Sequence, residues 1–128
     1  MPRGKILIVD DEEDLTSAMV ERLRLRGFQA EATASGLDAL KRLSETDFAA
    51  LVLDIKMPGI DGLQLMAETK RQYPDLPVIL ITGHGSATDA ERSMIRGASD
   101  YLMKPVDIGT LIETIDKALG SRETGNHG

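Results

Sequence analysis

The sequence predicts an α/β fold: a doubly wound, five-stranded parallel sheet in the order 2-1-3-4-5, with five helices shared between its two faces. Three observations predict it. Strand-length apolar runs alternate five times with segments of helical period, and that alternation makes a parallel sheet with right-handed crossovers. The runs Ile6-Leu7-Ile8-Val9, Leu51-Val52-Leu53 and Val78-Ile79-Leu80-Ile81 are apolar throughout, as strands buried on both faces must be, so they are central. Gln29 to Thr33 alternates only weakly, which places it at an edge.

Lys5-Ile6-Leu7-Ile8-Val9 is the first strand, and Asp10-Asp11-Glu12-Glu13-Asp14 is an acidic helix start. Leu15, Ala18, Met19 and Leu23 follow at helical spacing, and Gly27 is a left-handed stop. Arg22, Arg24 and Arg26 form the one dense basic group and decorate the solvated face and C-terminal end of that helix. After the edge strand, Ser35 can cap a helix with Leu37, Leu40 and Leu43 inward. Ala49 to Leu53 is the third strand; Asp54 ends it and Pro58-Gly59 forces a turn. The next helix points Leu63, Met66 and Ala67 inward and ends before Tyr73-Pro74. Pro77 to Thr82 is the fourth strand, and Gly83-His84-Gly85-Ser86 is a loop. Ala87, Ala90 and Met94 give the fourth helix a thin face, and Gly97 ends it. Ser99 to Met103 is the fifth strand, closed by Lys104-Pro105. A last helix starts at Asp107 or Thr110 and buries Leu111, Ile112, Ile115, Ala118 and Leu119. From Gly120 the chain is polar without periodicity, so the expected division is a domain over 1–121 and a polar tail or linker over 122–128.

With 128 residues and 41% hydrophobic content, the chain suits one domain with a core. It has no cysteine, which excludes disulfides, thiolate zinc sites and a Cys nucleophile. No apolar run reaches a membrane span, and the start lacks a signal-peptide apolar region, so a soluble, cytoplasmic protein is expected. The net charge of −6 and the sparse aromatics (Phe28, Phe48, Tyr73, Tyr101) argue against direct nucleic-acid binding.

Parallel strands put their C-terminal ends on one rim. Asp10 and Asp11 follow strand one, Asp54 strand three, Thr82 strand four and Lys104 strand five. In this order strands one and three are neighbours, so three carboxylates meet at the topological switch point, where ligands sit in open α/β sheets. At about 5 Å and an effective dielectric near 20, each carboxylate pair repels by about 3 kcal/mol. A divalent cation together with the Lys104 ammonium would cancel three negative charges. An all-oxygen set suits a hard cation, and Mg²⁺ needs the fewest protein ligands. Taken singly, each residue has a plainer role. Asp10 or Asp11 could cap the first helix, Thr82 end a strand, Lys104 snorkel and Tyr101 pack in the core. Their coincidence on one rim favours a site. A carboxylate beside Mg²⁺, an ammonium and a hydroxyl suggests phosphoryl transfer: Asp54 attacks phosphorus, Lys104 and the metal neutralise its oxygens, and Thr82 hydrogen-bonds one of them.

At these residues the sequence resembles the receiver domains of two-component response regulators. The matching motifs are Val9-Asp10-Asp11-Glu12, Leu53 to Gly62, Ile81-Thr82-Gly83 and Gly97 to Pro105. The resemblance covers residues 5 to about 119. It implies a phosphorylation-dependent switch rather than an enzyme acting on other substrates, although such a domain catalyses its own phosphotransfer and dephosphorylation. It implies that Asp54 accepts phosphate from a sensor histidine kinase, and that Asp10, Asp11, Asp54 and the Lys56 carbonyl hold Mg²⁺. Lys104 would contact the phosphoryl group, and Thr82 and Tyr101 would form the switch. The partners implied are the kinase, a downstream effector domain or protein on the surface of the fourth helix, fifth strand and fifth helix, and a second copy of the chain. Gly83-His84-Gly85 is similar to receivers attached to nitrogen-regulator-type activators. Ser99 stands where many receivers carry an acidic residue, a departure on the signalling face rather than at the chemistry.

Two other classes share features with this chain. A flavodoxin-like flavin protein has the same architecture, but needs a glycine- and hydroxyl-rich phosphate cradle where this chain has Asp10-Asp11-Glu12-Glu13. An aspartate-nucleophile phosphohydrolase carries a second Asp two residues after the first, where this chain has Lys56. His84 has two readings, one at the lip of the site acting on the hydrolytic water and one as a solvated loop residue. Nothing after Leu119 is long enough for an effector domain, so the expectation is a stand-alone receiver or a chain cut at a domain boundary.

Overall fold

A computed structural model describes residues 3–57, 60–83 and 97–125. In chain order it runs β1 (Lys5–Val9), α1 (Glu13–Leu25), β2 (Gln29–Thr33), α2 (Gly36–Glu45), β3 (Ala50–Asp54), β4 (Lys56–Met57), β5 (Ile60–Asp61), α3 (Gly62–Gln72), β6 (Val78–Thr82), β7 (Asp100–Met103) and α4 (Ile108–Gly125). Five strands form one parallel sheet in the order β2-β1-β3-β6-β7. With the two-residue ladder of β4 and β5 set aside, this is the predicted order 2-1-3-4-5. That ladder is antiparallel and was not expected; it flanks Pro58-Gly59, whose predicted turn lies outside the described residues.

The central strands divide their side chains by parity, as a pleated strand must. Leu7, Val9, Leu51, Leu53, Val78 and Leu80 pack on one face with Ala39 and Leu43 of α2 and Leu65 and Met66 of α3. Ile6, Ile8, Ala50, Val52, Ile79 and Ile81 pack on the other with Met19 and Leu23 of α1 and Leu111, Ile112 and Ile115 of α4. Two faces covered by helices explain why these strands are apolar throughout.

The predicted punctuation holds at several points. Ser35 accepts a hydrogen bond from the Asp38 amide at 3.1 Å, a cap worth about 1 kcal/mol. Asp107 accepts from the Thr110 amide and hydroxyl at the start of α4. Gly27 adopts φ +92° after α1, a backbone that L side chains rarely take. Arg22, Arg24 and Arg26 are exposed, as read.

Three expectations are corrected. Leu37 is 82% exposed, because α2 turns Gly36, Ala39 and Leu43 inward and Leu37 falls on the far side of that arc. In α3, Met66 is buried and Leu63 packs half-buried against the same core, as read, but Ala67 is exposed, and Leu65 and Thr69 are buried instead. The last helix does not stop near Gly120; its backbone continues to Gly125, through part of the segment read as tail. The predicted helix carrying Ala87, Ala90 and Met94, together with His84, lies outside the described residues. Four helices are described in place of the five expected. Among the described residues, no helix is long and apolar enough to cross a membrane.

Candidate functional site

The site begins with register. Ile8 pairs with Val52 and Val9 with Leu53, so Asp10 and Asp54 emerge side by side where β1 and β3 end. Both belong to the parity set that faces α1 and α4, which turns them toward the same side of the sheet. Both are buried, at 3% and 2% exposure. Asp11 is exposed at the rim. One carboxylate oxygen from each of Asp10, Asp11 and Asp54 lies within 4.8 Å of the others.

Lys104 reaches this group from the far side of the sheet. β7 pairs with β6 so that Met103 stands opposite Thr82, and the Lys104 amide donates to the Thr82 carbonyl at 2.9 Å. The ammonium then lies 3.1 Å from Asp54 Oδ2, 3.2 Å from Asp10 Oδ2 and 2.5 Å from Glu12 Oε1. The contact with Asp10 Oδ2 is an ion pair outside hydrogen-bond geometry, which leaves that buried oxygen without a hydrogen bond among the described residues. Asp10 Oδ1 is better served, accepting from the Glu12 amide at 3.0 Å.

These surroundings set the charge states. Burial pushes the Asp10 carboxyl above its ordinary value, the bond from the Glu12 amide opposes this, and the Asp54 charge adds to it. Burial works against the charged form of Lys104. Its hydrogen bonds to Glu12 and Asp54 and the charges of Asp10 and Asp54 prevail and hold its pKa above the ordinary lysine value.

Thr82 is fully buried at the end of β6, and its hydroxyl has no hydrogen-bond partner among the described residues. Such a group costs stability where it stands unless something engages it. Tyr101 is 39% exposed on the outermost strand, so the plainer reading of it as an ordinary core aromatic does not hold. Lys56 sits two residues past Asp54, its backbone paired with Asp61 in the small ladder. Gly62 closes that loop. A Cβ there would lie 2.4 Å from the Ile55 carbonyl oxygen, closer than any side chain tolerates, and the Gly62 amide donates to the same oxygen at 3.1 Å.

Of the residues read from the sequence, the structure brings Asp10, Asp11, Asp54 and Lys104 together and places Thr82 at the end of the neighbouring strand β6. The sequence reading missed Glu12, which makes the shortest contact to Lys104. The signal was weak, since Glu12 sits in an acidic run that any helix start favours.

The residues fit a hard divalent cation. The oxygens within 4.8 Å of one another, and the buried Asp10 oxygen lacking a hydrogen bond, are what an oxygen-ligated ion would join.

The family model of the response regulator receiver domain matches residues 6–116, and the chain belongs to that family. It is the receiver domain of two-component response regulators. Over 114 residues it is 41% identical to the C4-dicarboxylate transport transcriptional regulatory protein DctD of Rhizobium meliloti (strain 1021), covering 88% of this chain and 25% of that protein. It is 38% identical over 118 residues to the response regulator protein FleR of Pseudomonas aeruginosa, covering 91% of this chain and 25% of that one. The crystal structure of the receiver domain of NtrX from Brucella abortus matches with a TM-score of 0.86 at 35% identity, covering 91% of this chain and 98% of that one. The chain spans about a quarter of the length of the curated relatives it matches.

Proposed function

We propose that Asp54 is the phosphoacceptor of this receiver domain and that its phosphorylation is the switching event. The observation that carries the reading is the buried Asp54 carboxylate. It is grouped with Asp10 and Asp11 and bonded to Lys104 at 3.1 Å, and the Thr82 hydroxyl, without a hydrogen-bond partner among the described residues, stands at the end of the adjacent strand. In the transfer, an Asp54 oxygen forms a bond to the phosphorus of a phosphohistidine on a sensor kinase. The P–N bond breaks, and the imidazole leaves with its electron pair and takes up a proton. Lys104 stabilises charge on the phosphoryl oxygens, and Thr82 donates a hydrogen bond to one of them. Asp10, Asp11, Asp54 and the Lys56 carbonyl would hold Mg²⁺, which when bound supplies further neutralisation of that charge.

The domain acts as a switch and catalyses only its own phosphorylation and dephosphorylation. Thr82 and Tyr101 carry the change outward, to the output surface expected from the sequence, of which β7 and α4 are described. Its partners are the kinase, an effector domain or protein on that surface, and a second copy of the chain. The compartment is the cytoplasm. The receiver domain is assigned to residues 1–121; it does not itself bind nucleic acid or membrane.

Acetyl phosphate with Mg²⁺ should add one phosphoryl group that is labile to alkali and to hydroxylamine. Asp54→Asn should abolish the uptake. Normal labelling of that variant would refute the assignment.

A further inference from the structure

Glu12 closes the Lys104 side of the site in a way the receiver chemistry does not require. It occupies the N-cap position of α1, yet its side chain makes no capping bond. Its Oε1 instead lies 2.5 Å from Lys104 Nζ, a contact across 92 residues of sequence. Lys104 faces three carboxylates, and the other two, Asp10 and Asp54, are almost wholly buried with fixed places in the cluster. The Glu12 side chain is 57% exposed and lies outside the Asp10, Asp11 and Asp54 group. An ammonium has three protons to give. A phosphoryl group on Asp54 offers new acceptor oxygens to the same ammonium. Of the three present partners, Glu12 alone can swing into water, and its departure breaks no helix cap.

We propose that Glu12 is a releasable latch on Lys104, holding the ammonium before phosphorylation and yielding it to the phosphoryl group. It is a positioning residue, and the inference rests on the reading of Asp54 as phosphoacceptor. The latch works twice against an incoming anion. It occupies a proton of Lys104, and it adds a negative charge at the mouth of a site already rich in carboxylates. Removing the charge at constant shape should therefore favour the phosphorylated form.

The test titrates the 128-residue chain with beryllofluoride, a phosphoryl mimic, in the presence of Mg²⁺, followed by fluorine and amide NMR. Glu12→Gln should bind about fivefold more tightly than the parent, the scale of one half-exposed unit charge at this range. Glu12→Asp keeps the charge but shortens the reach to Lys104, so it should fall between the two. The gain should fade in 1 M salt. Equal or weaker binding by Glu12→Gln overturns the latch. A second readout needs neither metal nor phosphoryl mimic: exchange of the Lys104 ammonium protons in the metal-free chain should accelerate several-fold in Glu12→Gln. Unchanged exchange overturns the latch even if Asp54 proves to be the acceptor. Parent and Asp54→Asn proteins that bind beryllofluoride alike would instead overturn the reading of Asp54, with the exchange result untouched.

Discussion

Two charge clusters sit on this domain, and they are built in opposite ways. On the β2 edge, Glu31 lies between Lys5 at 2.5 Å and Arg42 at 2.8 Å, and Arg42 also pairs with Asp38 at 2.7 Å. That cluster is balanced, two cations against two anions, and its side chains are 25% to 38% exposed. At the rim of the sheet, Lys104 faces Asp10, Glu12 and Asp54, with Asp11 close by. Among the described residues, four carboxylates gather there around the Lys104 ammonium, and two of them are buried. A balanced surface cluster contributes little and asks for nothing more. An unbalanced buried one is unfavourable until a cation or a modification completes it. The difference separates a structural ornament from a site without appeal to any relative.

The sharpest way to break the comparison is to remove the central cation. Lys104→Met removes the ammonium that faces the buried carboxylates, and the metal-free protein should lose about 3 kcal/mol of stability at neutral pH. The loss should shrink in mild acid as Asp10 takes up a proton. Urea unfolding in a metal chelator measures both. A loss no larger than a surface lysine gives would mean that Lys104 does not compensate the cluster.

Adding a cation should act in the opposite direction. At 100 times its dissociation constant, Mg²⁺ should stabilise the parent by about 2.7 kcal/mol. Asp11→Asn should lose most of that gain while raising metal-free stability, since one repulsive partner is gone. Glu31→Gln should keep the whole gain. Thermal melts with and without Mg²⁺ check all three proteins; a parent melt indifferent to the ion would sink the idea.

Much of this was legible in the sequence because period and punctuation are local. Ile6 to Val9 and Val78 to Ile81 announce buried strands by composition, and the strand ends then place Asp10, Asp54, Thr82 and Lys104 on one rim. Leu37 misled because a leucine at an apparent helical spacing says nothing about which arc of α2 the sheet will accept. Ala39 and Leu43 settled that arc through packing against β-strand residues far away in sequence. Glu12 was illegible for a different reason. Its side chain could have capped α1, lain in water or crossed to Lys104, and only the tertiary approach of β7 chooses among them. The extension of α4 to Gly125 was missed because a polar stretch without periodicity can still continue a helix already nucleated upstream.

The two clusters should also titrate with opposite signs. Burial holds Asp10 above its ordinary value of 3.8, so the native state binds that proton more tightly than the unfolded chain. Stability from this group is greatest below about pH 4 and falls as pH rises through the native value. Glu31 is held below its ordinary 4.5, chiefly by its hydrogen bond with Lys5. Its contribution is present above about pH 4.5 and is lost as pH falls through the native value. In metal-free protein, Asp10→Asn should flatten the decline on the weakly acidic side, and Glu31→Gln should flatten the loss in stronger acid. Urea midpoints across pH 3 to 7 read both slopes. Slopes that move together would mean that one of the two environments is misjudged.

The smallest effect expected is the cost of Glu31→Gln at neutral pH. The substitution keeps the shape of the side chain and removes the charge that faces Lys5 and Arg42. Both partners are surface side chains that water can serve equally well, and ordering them already offsets part of the attraction. The loss should therefore be about 0.5 kcal/mol at low ionic strength. It should vanish in 1 M salt, where the screening length falls to about 3 Å. Lys104→Met under the same salt should keep most of its penalty, because Asp10 and Asp54 are shielded from mobile ions by the sheet around them. The measurement is a pair of unfolding curves at 0.05 and 1 M NaCl for each variant. A Glu31→Gln cost above 2 kcal/mol that survives high salt would show that the β2-edge cluster is as desolvated as the rim. The contrast between a balanced surface group and an unbalanced buried one would then not hold.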